Sequence, residues 1–174
     1  MISGVKIKKL KVHKDIPDIK GRKTKPGFLI EILRSDDKLL KKFGQSTFTV
    51  AYPGTIKAFH FHKKQDDLWF VATGKAKIVL HDLRKGSKSL GKTQVIYSGE
   101  GDYKLILIPH GVAHGYQVLS KKPVLLFYHT TEPYNPKNPD EERLPPDDPK
   151  IGYDWKFKDK RKWSTFQNRT EQKC

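Results

Sequence analysis

Residues 54–74 read GTIKAFHFHKKQDDLWFVATG, and the alternation within this stretch decides the fold. Successive side chains of an extended strand point to opposite faces, so His60 and His62 share one face while Phe59 and Phe61 take the other. A second apolar run follows at Leu68 to Ala72, and Thr73-Gly74-Lys75 supplies a turn to a third. Two imidazoles on one face of a strand carry more chemical weight than a lone histidine. A third follows in Ile108-Pro109-His110-Gly111-Val112-Ala113-His114, and His114 completes the set.

Outward from this stretch the same period of two recurs. Strands are expected at Gly27 to Leu33, Ser46 to Ala51, Lys57 to His62, Leu68 to Ala72, Ala76 to His81, Thr93 to Tyr97, Lys104 to Ile108, Ala113 to Leu119 and Pro123 to Thr130. Turn signals separate them at Tyr52-Pro53-Gly54, Arg84-Lys85-Gly86 and Pro109-His110-Gly111. The chain is therefore read as all-β, a sandwich or small barrel, with helix confined to a short piece at Ser35 to Phe43. From Glu132 to Pro149 it becomes acidic and proline-rich, and each proline removes a ladder donor. That segment is expected to be a surface loop or lid.

The chain has 174 residues and a net charge of +16, from 35 Lys and Arg against 19 Asp and Glu. One domain of this size buries a core without staples, and residues 1–155 are read as that domain, with 156–174 as a basic tail. The lone cysteine, Cys174, leaves no disulfide framework and no thiolate cluster. No apolar stretch approaches a membrane span, and the N-terminus lacks the apolar segment of a signal peptide, so a cytoplasmic protein is expected. The excess lysine is diffuse, which suits a solvated surface or anionic small substrates. A nucleic-acid partner would show a clustered basic stripe with interleaved aromatics, so nucleic acid is set aside.

The order Gly54, five residues, His60, one residue, His62, four residues, Asp67, six residues, Gly74 resembles the first cupin motif, with Asp67 where a glutamate is usual. Pro109, Gly111 and His114 match part of the second. The resemblance implies a jelly-roll β-barrel with these side chains at its mouth. From about Gly27 to Trp155 the chain also resembles the dTDP-4-dehydrorhamnose 3,5-epimerase family. The blocks that carry this are Gly27 to Glu31, Gln45, Gly54, Asp82-Leu83-Arg84, Gly91-Lys92, Ala113-His114-Gly115, Tyr134-Asn135-Pro136, Asp147-Asp148-Pro149 and Asp154-Trp155, all in family order.

This resemblance implies that His60 is a general base oriented by Asp154, that His114 is a second site histidine, and that Tyr134 is the acid returning a proton to the opposite face of the sugar. Protons beside a ketone become removable when the enolate is stabilised and a base of near-neutral pKa is at hand. Histidine fits that demand. Lys57 and Gln45 are the expected nucleotide contacts, and His62 lines the site. Phe28 and Glu31 are expected to reach the site of a neighbouring subunit in a homodimer. No cofactor is expected, and the substrate is a nucleotide-diphosphate sugar.

The chain departs from the family at several positions. The family lysine that supports the developing oxyanion aligns with Asp67. One family arginine is Lys57, another is Pro26, and an asparagine is Thr47. Asp67 opens an alternative, because His60, His62, Asp67 and His114 together suit one divalent transition metal. A sugar 3,4-ketoisomerase is a further alternative, since His60-Phe61-His62-Lys63 is similar to that group's pattern. A sugar-binding cupin without catalysis is the non-enzyme alternative.

Overall fold

A computed structural model describes residues 1–15 and 26–156. The strands are β1 (Lys6–Lys9), β2 (His13–Lys14), β3 (Phe28–Leu29), β4 (Gln45–Ala51), β5 (Ile56–Phe61), β6 (Asp67–Thr73), β7 (Lys75–Asp82), β8 (Thr93–Gly99), β9 (Lys104–Ile108), β10 (Val112–Val118), β11 (Val124–Thr130) and β12 (Glu142–Arg143). Two five-stranded sheets, ordered β1-β9-β6-β11-β4 and β12-β5-β10-β7-β8, face one another, and β2 pairs with β3. Every pairing is antiparallel. The result is an all-β barrel, as the alternation implied, with the jelly-roll form that the cupin resemblance implied.

Alternation sorts the core into three layers. Trp69, Val71, Ile78, Leu80, Ile106, Val112, Tyr116, Val118, Val124 and Leu126 fill the space between the sheets. Leu68, Phe70, Leu105 and Leu107, from the outer face of the first sheet, pack under Leu10, Ile30, Ile32, Leu39 and Leu40. Phe59, Val79 and Ala113, from the outer face of the second, pack under Ile151 and Trp155. Each fully buried aliphatic or aromatic side chain contributes about 1.5–3 kcal/mol. These layers fix the positions of the strands that carry the polar groups.

Three expectations are corrected. The strand expected over Gly27 to Leu33 is reduced to Phe28–Leu29, and beyond it Ile30, Ile32 and Leu33 cover the outer face of the first sheet on irregular backbone. The helix expected over Ser35 to Phe43 is a single 3-10 turn at Ser35–Asp37, ended by Lys38 in the left-handed region at φ 50°. There Arg34 turns its guanidinium onto Glu31 and Asp36, and the Asp37 carboxylate accepts its backbone N–H. Such local side-chain bonding competes with a continuing helix. Finally, the proline-rich segment does contain strand, because residues 140–144 between Pro139 and Pro145 keep their donors. Glu142 and Arg143 pair with Phe61 and His60, while Leu144 and Phe59 exchange both backbone hydrogen bonds. The tail expected at 156–174 lies outside the described residues beyond Lys156.

Candidate active site at the barrel mouth

Strand β5 delivers its polar residues through an irregularity. In its pairing with β10, His60 lies opposite His114 and Lys57 opposite Tyr116, so Ala58 and Phe59 together face Gly115. This is a β-bulge, the insertion of one extra residue into one strand of a pair. Without it Lys57 would share the outward face of Phe59. With it, Lys57, His60 and His62 all point into the barrel. Gly115 makes the bulge possible, since a Cβ there would meet the Ala58 Cβ at 2.4 Å.

Within the barrel, His60, His62, Asp67 and His114 offer nitrogen and oxygen atoms that all lie within 4.8 Å of one another. The His60 and His114 rings stand edge to face at 4.1 Å, with His62 at 5.7 Å from His60 and 5.5 Å from His114. Asp67 Oδ1 accepts from Gln65 Nε2 at 2.7 Å and Oδ2 from Trp69 Nε1 at 3.0 Å. Its oxygens stand 3.7 Å from His62 Nε2 and 3.5 Å from His114 Nε2.

The tautomers follow from the backbone. A carbonyl oxygen only accepts, so His62 Nδ1–H donates to the carbonyl of Asp140 and His114 Nδ1–H to that of Val112 at 2.9 Å. Both Nε2 lone pairs therefore turn inward. His62 Nε2 accepts from Gln65 Nε2 at 3.3 Å, whereas the buried His114 Nε2 has no hydrogen-bond partner.

Burial, then the neighbouring His114 imidazole, pushes His60 down to about 2, well below the near-neutral value expected of a general base, so its ring is neutral across the physiological range. Burial pushes the Asp67 carboxyl up, but the adjoining His114 and His62 imidazoles and the Gln65 amide outweigh it and leave the group at about 2. An ionised carboxylate among three imidazoles is the electrostatic centre of the site.

The other expected residues are less tightly gathered. Lys57 Nζ crosses to the facing sheet and donates to Thr49 Oγ1 and the Val50 carbonyl, both at 2.9 Å. Gln45 opens β4 in the row Gln45, Thr130, Asp67 across the first sheet. Its Oε1 accepts the backbone N–H of Tyr134 at 2.7 Å, which anchors that residue beside the mouth with its side chain exposed. Phe28 packs against Tyr103 at 6.0 Å, and Glu31 pairs with Arg34, both away from the imidazoles. Asp154 is exposed in the segment covering the outer face of the second sheet, and its carboxylate accepts the Lys156 N–H at 2.8 Å. It is not part of the imidazole cluster.

Three contributors escaped the sequence reading. Gln65 bridges Asp67 and His62, the Trp69 indole holds Asp67, and Arg143 lies opposite His60 on β12. Gln65 is signalled only by its place two residues before Asp67. Arg143 has no local signal, because its neighbour His60 is remote in the chain. His129 faces outward against Phe43 at 6.4 Å.

The sequence pattern described as dTDP-4-dehydrorhamnose 3,5-epimerase matches residues 2–170. The spore coat polysaccharide biosynthesis protein SpsL of Bacillus subtilis is 52% identical over 155 residues, 89% of this chain and 97% of that protein. The probable low-salt glycan biosynthesis epimerase Agl13 of Haloferax volcanii is 32% identical over 143 residues, 81% of this chain and 92% of that protein. Among solved structures, a dTDP sugar isomerase from Desulfovibrio desulfuricans superposes with a TM-score of 0.77 at 26% identity, covering 91% of this chain and 94% of that one.

Proposed function

The chain belongs to the dTDP-4-dehydrorhamnose 3,5-epimerase family, and from that premise we propose that it epimerises a nucleotide-linked 4-keto-deoxysugar during polysaccharide or glycan biosynthesis. The observation that carries this is the neutral, inward His60 among His62, Asp67 and His114, with Tyr134 tied to Gln45 beside the mouth.

In the proposed reaction the neutral His60 imidazole removes the proton from the carbon next to the ketone, leaving an enolate. The negative charge that develops favours the imidazolium, offsetting the burial that disfavours it in the free protein. Tyr134 then donates to the opposite face, as inversion requires. Lys57 and Gln45 take the nucleotide, with Lys57 exchanging its internal bonds for the ligand's oxygens. The orienting role of Asp154 rests on the resemblance alone, whereas the carboxylate in contact with imidazoles is Asp67. Phe28 and Glu31 are assigned to the subunit boundary of a homodimer, in keeping with their distance from the chain's own imidazoles.

The test is deuterium uptake from heavy water into a dTDP-linked 4-keto-6-deoxyhexose, followed by mass spectrometry. Uptake by the native protein, reduced at least about 10²-fold in His60→Ala as for loss of a general base, is the expected outcome. Binding of the nucleotide sugar without uptake would leave a sugar-binding protein in place of an enzyme.

A second reading is favoured by one specific feature. The inward Nε2 lone pairs of His62 and His114 beside an ionised carboxylate, with both Nδ1–H groups held by carbonyls, are the arrangement that orients metal-ligating histidines. His60, His62, Asp67 and His114 would hold a divalent transition metal, which supplies Lewis-acid polarisation of a carbonyl oxygen when bound. Elemental analysis of tag-free protein beside a His60→Ala, His114→Ala variant separates the readings. About one equivalent of metal per chain, lost in the variant, would replace the metal-free reading.

A further inference from the structure

Asp140 lies on the proline-rich segment between β11 and β12, and it is bonded to the turn that follows β5 by both its side chain and its backbone. Its Oδ1 accepts the N–H of Lys63, and its Oδ2 accepts those of Lys64 and Gln65, all at 2.9 Å. Its carbonyl oxygen accepts His62 Nδ1–H. Just beyond it, Glu142 and Arg143 pair with Phe61 and His60, and Leu144 exchanges backbone bonds with Phe59. The segment is thus fastened along β5, which carries His60 and leads into His62.

Two consequences converge on the barrel mouth. The Asp140 carbonyl selects the Nδ1–H form of His62 and thereby turns the Nε2 lone pair toward Asp67 and Gln65. The Asp140 carboxylate fixes the turn that carries Gln65, whose amide in turn holds Asp67 Oδ1. Three amides converging on one carboxylate form the strong, charge-assisted kind of hydrogen bond, and they keep the Asp140 carboxyl below its ordinary range against the upward push of burial.

We propose that Asp140 is a positioning residue of this site: it docks the proline-rich segment on β5, sets the tautomer of His62 and places Gln65 against Asp67. The inference goes beyond the assigned reaction and holds whatever substrate the barrel takes. It separates Asp140 from its acidic neighbours, because Glu142 pairs with the exposed Lys63 and Glu141 with the exposed Arg143.

The test uses the full-length, ligand-free protein, so its outcome is independent of whether the epimerase reading survives. Imidazole nitrogen shifts of 15N-labelled native protein should report a single Nδ1–H form for His62. Asp140→Ala keeps the backbone carbonyl but removes the three side-chain bonds that hold it against His62. The tautomer ratio should therefore move toward Nε2–H, by about fivefold where undocking of the segment breaks that one hydrogen bond. Amide hydrogen exchange at Lys63, Lys64 and Gln65 should quicken while that of β7 and β10 stays unchanged. Asp140→Asn retains one acceptor oxygen, and it should fold and give an intermediate ratio even where the alanine variant does not fold. An Nε2–H His62 in the native protein, or an unchanged tautomer in folded Asp140→Ala, would overturn the proposal.

Discussion

At Gly115 a single missing methyl group decides which way Lys57 points. A Cβ there would fall 2.4 Å from Ala58 Cβ and 2.8 Å from the Lys57 carbonyl oxygen, both far inside contact distance. The obstruction is mostly backbone and a short side chain, neither of which can swing aside. Gly115→Ala is therefore expected to cost about 1–3 kcal/mol by overpacking, read from urea denaturation. It should also lower nucleotide-sugar binding measured by calorimetry, because the β5 bulge must shift to make room. The sequence reading found His60, His62 and His114 because alternation and motif spacing are local. The inward turn of Lys57 was not readable that way, since strict alternation sets it with Phe59. Asp140 was equally hidden: its partners His62 to Gln65 lie 75–78 residues away, beyond any local pattern.

Among the connecting elements, the turn from β7 to β8 is organised by one buried carboxylate. Asp82 accepts from Arg84 Nε at 2.8 Å, Ser87 Oγ at 2.7 Å and Ser89 Oγ at 2.6 Å, and Arg84 also reaches the Ser3 carbonyl. Burial raises its pKa, but the bonds from Arg84, Ser87 and Ser89 outweigh this and hold it well below the ordinary carboxylate value. Because the folded-state pKa is the lower one, the ion stabilises the fold above the unfolded value of about 4, and this contribution is lost as pH falls below it. Asp82→Asn should destabilise the protein at neutral pH and flatten its loss of stability below about pH 4, read as thermal midpoints across a pH series. At this scale the sequence was partly legible. The long strands were found because each buries a full face, whereas the segment from Gly27 to Phe43 misled because its apolar residues cover a sheet without forming regular elements. The short β12 was missed because prolines on both sides masked the five residues free to pair.

For the whole molecule, the all-β class was legible in the period of two, but the pairing of β1 with β9 and of β12 with β5 was not, since sheet order is set by contacts distant in sequence. What the barrel leaves exposed bears on assembly. Phe48 on the outer face of edge strand β4 packs against Phe127 at 4.8 Å yet remains half exposed, with Phe43 exposed beside the same sheet. Phe28 and Leu29 on β3 are exposed to a similar degree. Isolated apolar side chains are ordinary on a surface, but aromatics alongside a strand edge that is unpaired among the described residues make a surface suited to a second copy. A net charge of +16 opposes self-association, so a dimer must bury enough apolar area at such a face to overcome that repulsion. Sedimentation velocity should therefore show a dimer whose dissociation constant falls as salt screens the charge. Phe48→Glu should shift the boundary toward the monomer with the thermal midpoint little changed, because this side chain is half exposed in the single chain. A monomer at all salt concentrations in the native protein would remove Phe28 and Glu31 from any shared site and leave each barrel to work alone.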